Sequence, residues 1–286
     1  WPNLINNLNK KAIPVVLINA RLSERSLNKY QKFSSKLVKK TINQLTLIGS
    51  QNDSSSERFL SLGALTDKVV TVGNLKFDSN EKDNPNTTQL LKQMIGQRRV
   101  VVFASTREGE EKKIIQSYVN LKDKFDALLI IVPRHPQRFD EVFNLIVNSS
   151  LNVKRRSHGL SCDENTQVLL GDSMGELLSY YSVCDIAFIG GSLIDTGGQN
   201  MLEAAAASKP ILFGPSVFNF EKIAQLFLEK DAAIQVGDAD DLMKTISALL
   251  LNDTKRQKLG ENAKNSFEKN RGAIDRLMKL IIPNIS

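Results

Sequence analysis

Short apolar runs alternate with longer amphipathic stretches along most of the chain. The runs are Ile13–Ile18, Leu45–Ile48, Lys68–Val72, Arg99–Ala104, Ala127–Val132, Gln167–Leu170, Asp185–Ile189, Pro210–Phe213 and Ala232–Val236, most of them rich in Val and Ile. Near-continuous apolarity over so few residues predicts strands buried on both faces of a parallel sheet. Between them, Leu22–Lys40, Ser54–Leu62, Glu108–Leu121, Gln137–Val147, Met174–Ser182, Asn200–Ala207 and Asn219–Leu228 carry helical spacing. That alternation predicts a doubly wound α/β architecture. The polar stretch Phe77–Thr88 breaks the rhythm and reads as a linker, after which Arg98–Ala104 opens a fresh series. The expected divisions are a first domain at 1–80, a linker at 81–94, a second domain at 95–260 and a C-terminal helix at 261–286. Few strands fall in the first division, so that domain is expected to be incomplete at its front. The tail Asp253–Leu280 reads as helix, with Pro283 just beyond its end.

Composition narrows this only a little. The 286 residues are 41% hydrophobic and 24% charged, as in ordinary globular proteins. Two cysteines, Cys162 and Cys184, without a CxxC pair argue against a disulfide scaffold or a cysteine-built zinc site and fit a reducing cytoplasm. No convincing metal-ligand spacing and no dinucleotide fingerprint is found, so neither a metal nor a cofactor is expected. A net charge of +7 suits anionic partners. Nucleic acid is disfavoured among them, because aromatics are 6% and no recognition motif is present. No apolar run reaches the ~18 residues of a transmembrane helix. The first residue is Trp1, as expected of a processed protein, an excised domain or a fragment.

The candidate chemistry lies where strands end, which is where open α/β sheets bind ligands. Pro133-Arg134-His135-Pro136 follows a strong strand, and Arg134 suits bidentate contact with phosphate or carboxylate. Gly171-Asp172-Ser173-Met174-Gly175-Glu176-Leu177 follows another; Gly171 permits a tight turn, and Asp172 or Ser173 caps the next helix or leaves its N–H groups to an anion. Gly190-Gly191-Ser192 and Gly197-Gly198-Gln199-Asn200-Met201-Leu202-Glu203 allow close approach to the backbone, with Glu203 one turn inside a helix that starts near Asn200. Ser105–Glu111 reads as a cap or a phosphate turn, with Glu110 and Glu111 as acids of a helix first turn. In the first division, Arg25, Lys29, Lys32, Lys36, Lys39 and Lys40 form a basic run without an intervening acid, which is either a solvated face or a surface for lipid phosphates.

Taken together these segments resemble the Kdo (3-deoxy-D-manno-octulosonic acid) transferase family. The likeness is carried by WPN at Trp1–Asn3, NARLSERS at Asn19–Ser26, GNLKFD at Gly73–Asp78, ST-EGEE at Ser105–Glu111 and VPRHP at Val132–Pro136. It continues with GDSMGEL at Gly171–Leu177, IGGS at Ile189–Ser192, GG-N--E at Gly197–Glu203 and FGP---NF at Phe213–Phe220. Each is weak alone; in family order along nearly the whole chain they are specific.

The resemblance implies an α/β, GT-B-like fold of two Rossmann-like domains facing a cleft. It implies a metal-independent glycosyltransferase that moves Kdo from CMP-Kdo to a lipid A precursor. Its place is the cytoplasmic face of the Gram-negative inner membrane, with the membrane surface as a further partner. By motif, donor binding falls to Pro133, Arg134, Met174, Gly175, Glu176, Asn200, Met201, Leu202 and Glu203. Lys76 is the candidate transition-state stabiliser, and Arg21, Ser23 and Arg25 are acceptor-side candidates. The chain departs from the family at Arg107 and Gln199, where His is common, and at Met201, where Pro is common. The family's glutamate base lies upstream of the WPN segment, so these residues alone are expected to be inactive. The competing expectations are a non-catalytic nucleotide-binding fragment and a GT-B enzyme that uses a UDP-sugar.

Overall fold

The computed structural model describes residues 1–33, 35–78, 83–121 and 126–285. The chain divides into two compact units, residues 1–80 with 269–286, and residues 81–268.

The first unit opens with α1 (Pro2–Lys10), β1 (Val16–Ala20), α2 (Glu24–Phe33), α3 (Ser35–Asn43), β2 (Leu47–Ser50), α4 (Asp53–Ser61) and β3 (Val69–Thr71). Its strands form a parallel sheet in the order β1-β2-β3. The central strand β2 is buried throughout, as its apolar run predicts, and its Ile48 shares a core with Ala20, Ile42 and Phe59. The edge strand β1 departs from the expected two-sided burial, since Leu17 and Ile18 are 37% and 48% exposed. The expected helix Leu22–Lys40 is two helices, and residue 34 between them lies outside the described residues.

The second unit runs α5 (Pro85–Ile95), β4 (Val100–Thr106), α6 (Glu110–Leu121), β5 (Leu128–Pro133), α7 (Phe139–Asn148), β6 (Val153–Arg155) and β7 (Val168–Leu170). It continues with α8 (Leu177–Val183), β8 (Ile186–Ile189), α9 (Leu202–Ala206), β9 (Ile211–Phe213), α10 (Glu221–Glu229), β10 (Ala233–Gln235), α11 (Ala239–Leu250) and α12 (Asp253–Lys269). The sheet is wholly parallel, in the order β10-β9-β8-β4-β5-β7-β6. β4, first in sequence, sits in the middle; the chain winds outward through β5 and then returns to β8 on the other side. That reversal places the switch point at the carboxyl ends of β4 and β8. Phe103 and Phe188 meet across these two strands with ring centroids 5.8 Å apart, inside a core that includes Ile114, Leu129, Val142 and Ile246. The short strand β6 escaped the pattern because Val153-Lys154-Arg155 is mostly polar.

Most of the expected linker at 81–94 is helix. Residues 81 and 82 lie outside the described residues, but Asn84 caps α5, its side chain accepting from the Asn86 and Thr87 amides at 3.1 and 3.5 Å, and Pro85 opens the first turn. Those are helix-start signals inside a stretch whose polarity suggested a loop. The expected tail is also two helices, with Gly272 between them at φ 84°. The last, α13 (Ala273–Ile285), keeps Pro283 inside it and belongs to the first unit. Asp78 caps it, accepting from the Gly272 and Ile274 amides at 2.6 Å each, and Arg276 donates to the Val72 carbonyl at 2.8 Å.

Asp83 fixes the entry to the second unit. It accepts from the hydroxyls of Ser179 (2.6 Å), Ser182 (2.9 Å) and Thr88 (2.7 Å). Burial pushes its carboxyl up, yet the hydroxyls and the Asn84 amide outweigh that and hold it below the usual carboxylate value of 3.8. A carboxyl depressed in the folded state stabilises above its unfolded pKa and loses that contribution as the pH falls through its folded value. Wild type is therefore expected to exceed Asp83→Asn in urea midpoint at neutral pH, with the gap closing below about pH 4.

Candidate functional site

The parallel sheet of the second unit brings its strand exits to one edge. Arg134 leaves β5 there, its amide donating to the Thr106 carbonyl of β4 at 3.0 Å. Pro133 is buried and completes the strand, whereas the Arg134 side chain is exposed, and no described residue pairs with its guanidinium. The next turn is anchored. Arg138 donates to both oxygens of buried Glu111, at 2.7 and 3.1 Å, and to Glu141 at 3.1 Å. Burial opposes the Arg138 charge, but these carboxylates outweigh it and keep the guanidinium charged.

Gly171 follows β7 on the neighbouring path, and its amide donates to Ile131 of β5 at 2.8 Å. The tight-turn role expected of it is not what the structure uses. Its φ is not positive, and a Cβ there would meet Val132 Cγ2 at 2.8 Å and the Tyr180 ring at 3.0 Å. Nor do Asp172 or Ser173 cap α8. Asp172 accepts from the Ser157 amide and hydroxyl at 2.8 and 2.7 Å, and Ser173 donates to Glu176 at 2.6 Å. The other Glu176 oxygen accepts from Arg156 at 3.0 Å. A carboxylate neutralised in this way is compatible with an anion near the Gly175 and Glu176 backbone. Met174 is 55% exposed.

The Asn200–Glu203 group arrives through the loop after β8. Asn200 precedes α9 rather than lying in it, and its Oδ1 accepts from the Leu202 amide at 3.2 Å while its Nδ2 donates to Glu203 Oε1 at 2.8 Å. Met201 and Leu202 are buried at 0% and 1% exposure, so neither offers surface to a ligand in this structure, unlike the contacts that the motif implied. The start of that loop is held by a residue read from sequence only as a first-turn acid. Fully buried Glu110 accepts from the amides of Gly191 (2.7 Å), Ser192 (3.1 Å), Leu193 (3.0 Å) and Arg107 (3.2 Å). Burial pushes its carboxyl above the usual value and the four amides pull it back. Gly190 lets β8 exit against β4, because a Cβ there would lie 2.7 Å from both Ser105 O and Thr106 Cα. Gly190→Ala is expected to cost about 1–3 kcal/mol, read as a lower thermal midpoint.

In the first unit, two motifs meet. Asn19, at φ 51°, accepts from the Leu75 amide at 3.4 Å. Within the Leu75–Asp78 turn, Phe77 is buried and Asp78 caps α13, while Lys76 is exposed. Arg21 and Arg25 are exposed, and Ser23 accepts from the Ser26 amide at 3.2 Å as the cap of α2. Every member of the basic run from Arg25 to Lys40 is exposed. Among the described residues, no helix is long and apolar enough to cross a membrane, and no group of three His, Cys, Asp or Glu could hold a metal. The Cys184 thiol is pushed up to about 12 by burial, which leaves it inert as a nucleophile.

Residues 1–79 match the family described as 3-deoxy-D-manno-octulosonic-acid transferase (kdotransferase), and residues 102–266 match glycosyl transferases group 1. The 3-deoxy-D-manno-octulosonic acid transferase of Haemophilus influenzae is 39% identical over 99% of this chain and 67% of its own length. That of Bordetella pertussis is 32% identical over 97% of this chain and 65% of its own. A bifunctional glycosyltransferase/methyltransferase of Fusobacterium nucleatum is 36% identical, with 40% of its length covered. The chain thus spans two-thirds or less of these relatives. Among solved structures, the C-terminal CMP-Kdo binding domain of WaaA from Acinetobacter baumannii matches 64% of this chain with a TM-score of 0.60 and 36% identity. A putative UDP-N-acetylglucosamine 2-epimerase from Listeria monocytogenes, at 14% identity and a TM-score of 0.58, shares the fold.

Proposed function

The chain belongs to the Kdo transferase family, with a GT-B-like α/β fold, and on that premise we propose that its second unit binds CMP-Kdo for transfer of Kdo to a lipid A precursor. The observation that carries this reading is exposed Arg134 at the carboxyl edge of the parallel sheet, where it leaves β5 beside the exit of β7 into Gly171–Glu176. Pro133, Met174, Gly175, Glu176, Asn200 and Glu203 complete the proposed donor set, with buried Met201 and Leu202 supporting the loop that carries Asn200.

Cleavage of the sugar–phosphate bond develops oxocarbenium character on the sugar and negative charge on departing CMP. Arg134 and the amides of the 174–176 segment are suited to stabilise that phosphate. Lys76 is proposed to add positive charge in the transition state, with Arg21, Ser23 and Arg25 on the acceptor side. The exposed basic helices α2 and α3 suit an anionic membrane surface, in keeping with a cytoplasmic-face location. The acceptor hydroxyl must lose its proton as it attacks, and no carboxylate of these 286 residues is assigned as that base.

Two measurements check the proposal. Arg134→Ala is expected to weaken CMP binding about 10–100-fold, the worth of charge-assisted hydrogen bonds, with an unchanged thermal midpoint. Incubating the 286-residue polypeptide with CMP-Kdo and a lipid A precursor is expected to give donor binding and no transfer. Turnover by that polypeptide would show that the base lies within it.

A further inference from the structure

A second guanidinium stands at the same edge. Ser105 takes φ 56°, and the β4–β5 register slips there, so that Thr106 rather than Ser105 pairs with Pro133. A bulge of this kind re-aims the residues that follow. Arg107 and Arg134 therefore leave adjacent strands, about 4.8 Å apart, at the same level. Arg107 is half-buried, and its Nη1 lies 2.7 Å from His135 Nε2. Arginine carries only donors, so Nε2 accepts and the imidazole proton sits on Nδ1. His135 thereby holds Arg107 in place.

The hydrogen bonding of this corner is incomplete. Arg107 Nε and Thr106 Oγ1 are buried without a partner among the described residues. Buried groups left unpaired are rare, and these two lie beside the strand exits where open α/β sheets bind ligands. Gly191, at φ 67°, forms the other wall, since a Cβ there would meet Gln199 Nε2 at 3.1 Å and Arg107 Cγ at 3.4 Å. Two of the positions where this chain departs from the family pattern, Arg107 and Gln199, thus converge on the Gly191 backbone.

We propose that Arg107 recognises the carboxylate of the donor sugar while Arg134 takes the phosphate. The proposal rests on the CMP-Kdo reading above. In such a donor the anomeric carbon carries both the carboxylate and the phosphate oxygen. Two anions on one carbon call for two cations side by side, and paired strand exits supply them. A planar guanidinium offers a carboxylate two parallel hydrogen bonds, where an imidazole offers one.

Calorimetry with CMP and with CMP-Kdo separates the two roles, because CMP has no carboxylate. Arg107→Ala is expected to weaken CMP-Kdo at least tenfold and CMP less than threefold, whereas Arg134→Ala weakens both. Should Arg107→Ala fail to fold, Arg107→Lys keeps the charge and is expected to lose about three- to tenfold for CMP-Kdo alone. Equal weakening of both ligands, or no change in either, overturns the assignment while leaving the donor reading intact. A wild-type protein that binds neither ligand overturns the donor reading, and this assignment with it.

Discussion

Glu110→Ala is expected to destabilise the second unit by about 3–5 kcal/mol and to abolish CMP binding at concentrations where wild type saturates. Its carboxylate satisfies three successive amides of the loop after β8 and one at its own helix start. Glu110 is fully buried, so its carboxylate is shielded from bulk solvent. An unpaired buried amide costs about 1–3 kcal/mol, and partial rearrangement keeps the total below the simple sum. Glu110→Gln separates fold from charge. The amide keeps the shape but has a single acceptor oxygen, and its NH2 group faces donors. An intermediate loss of about 2 kcal/mol is expected from it. Denaturant unfolding of both variants beside wild type gives the ranking; equal stability of all three would show that the loop does not depend on the clamp.

Breaking the Glu111–Arg138 pair is the other large effect. Arg138→Ala leaves the buried Glu111 carboxylate without its partner, which is expected to cost about 3–5 kcal/mol, whereas Glu111→Ala leaves Arg138 paired with Glu141 and is expected to cost less. Glu111 is fully buried and Arg138 is 9% exposed, so solvent compensates for little. Replacing both together with apolar residues of similar volume is expected to restore most of that loss, because it also removes both desolvation costs. The function responds as well. Arg138 sits on the turn that follows Arg134 and His135, and its amide bonds to the His135 carbonyl at 3.0 Å. The single variants are therefore expected to weaken CMP binding even below their unfolding temperature, and the double variant to recover stability more fully than affinity.

The alternation of apolar runs and helical spacing disclosed the parallel sheets because their central strands are buried on both faces. Ile48, Val102 and Ile130 have no solvent-facing side that would call for a polar residue. What the pattern lost was mostly short or polar, although the amphipathic helix α11, with Leu242, Ile246 and Leu249 on its buried face, was missed as well. β6 pairs through its backbone and displays Lys154 and Arg155. α5 hid behind Asn84-Pro85, and α1 carries no buried residue that would mark its face.

At the proposed site, motif order placed Arg134, Met174–Glu176 and Asn200–Glu203 beyond strands, and the structure has them after β5, after β7 and after the loop that leaves β8. It did not reveal what holds them. Glu110 and Glu111 are adjacent and chemically identical, yet one grips a loop more than 80 positions away and the other an arginine 27 positions on. Neither partner is within reach of local spacing rules. The two acids sit just after β4, and that position was the only local sign that they did more than begin a helix. Arg107 and His135 likewise come together only because β4 and β5 are neighbours and Ser105 bulges.

The central claim is that the second unit is built for a cytidine nucleotide sugar. Titrating the 286-residue protein with CMP, UMP and UDP in parallel by calorimetry tests it most directly. The account predicts that CMP binds more tightly than UMP and UDP, and that Arg134→Ala removes most of that binding. A clear preference for UDP would contradict it and assign the chain to a UDP-sugar chemistry instead.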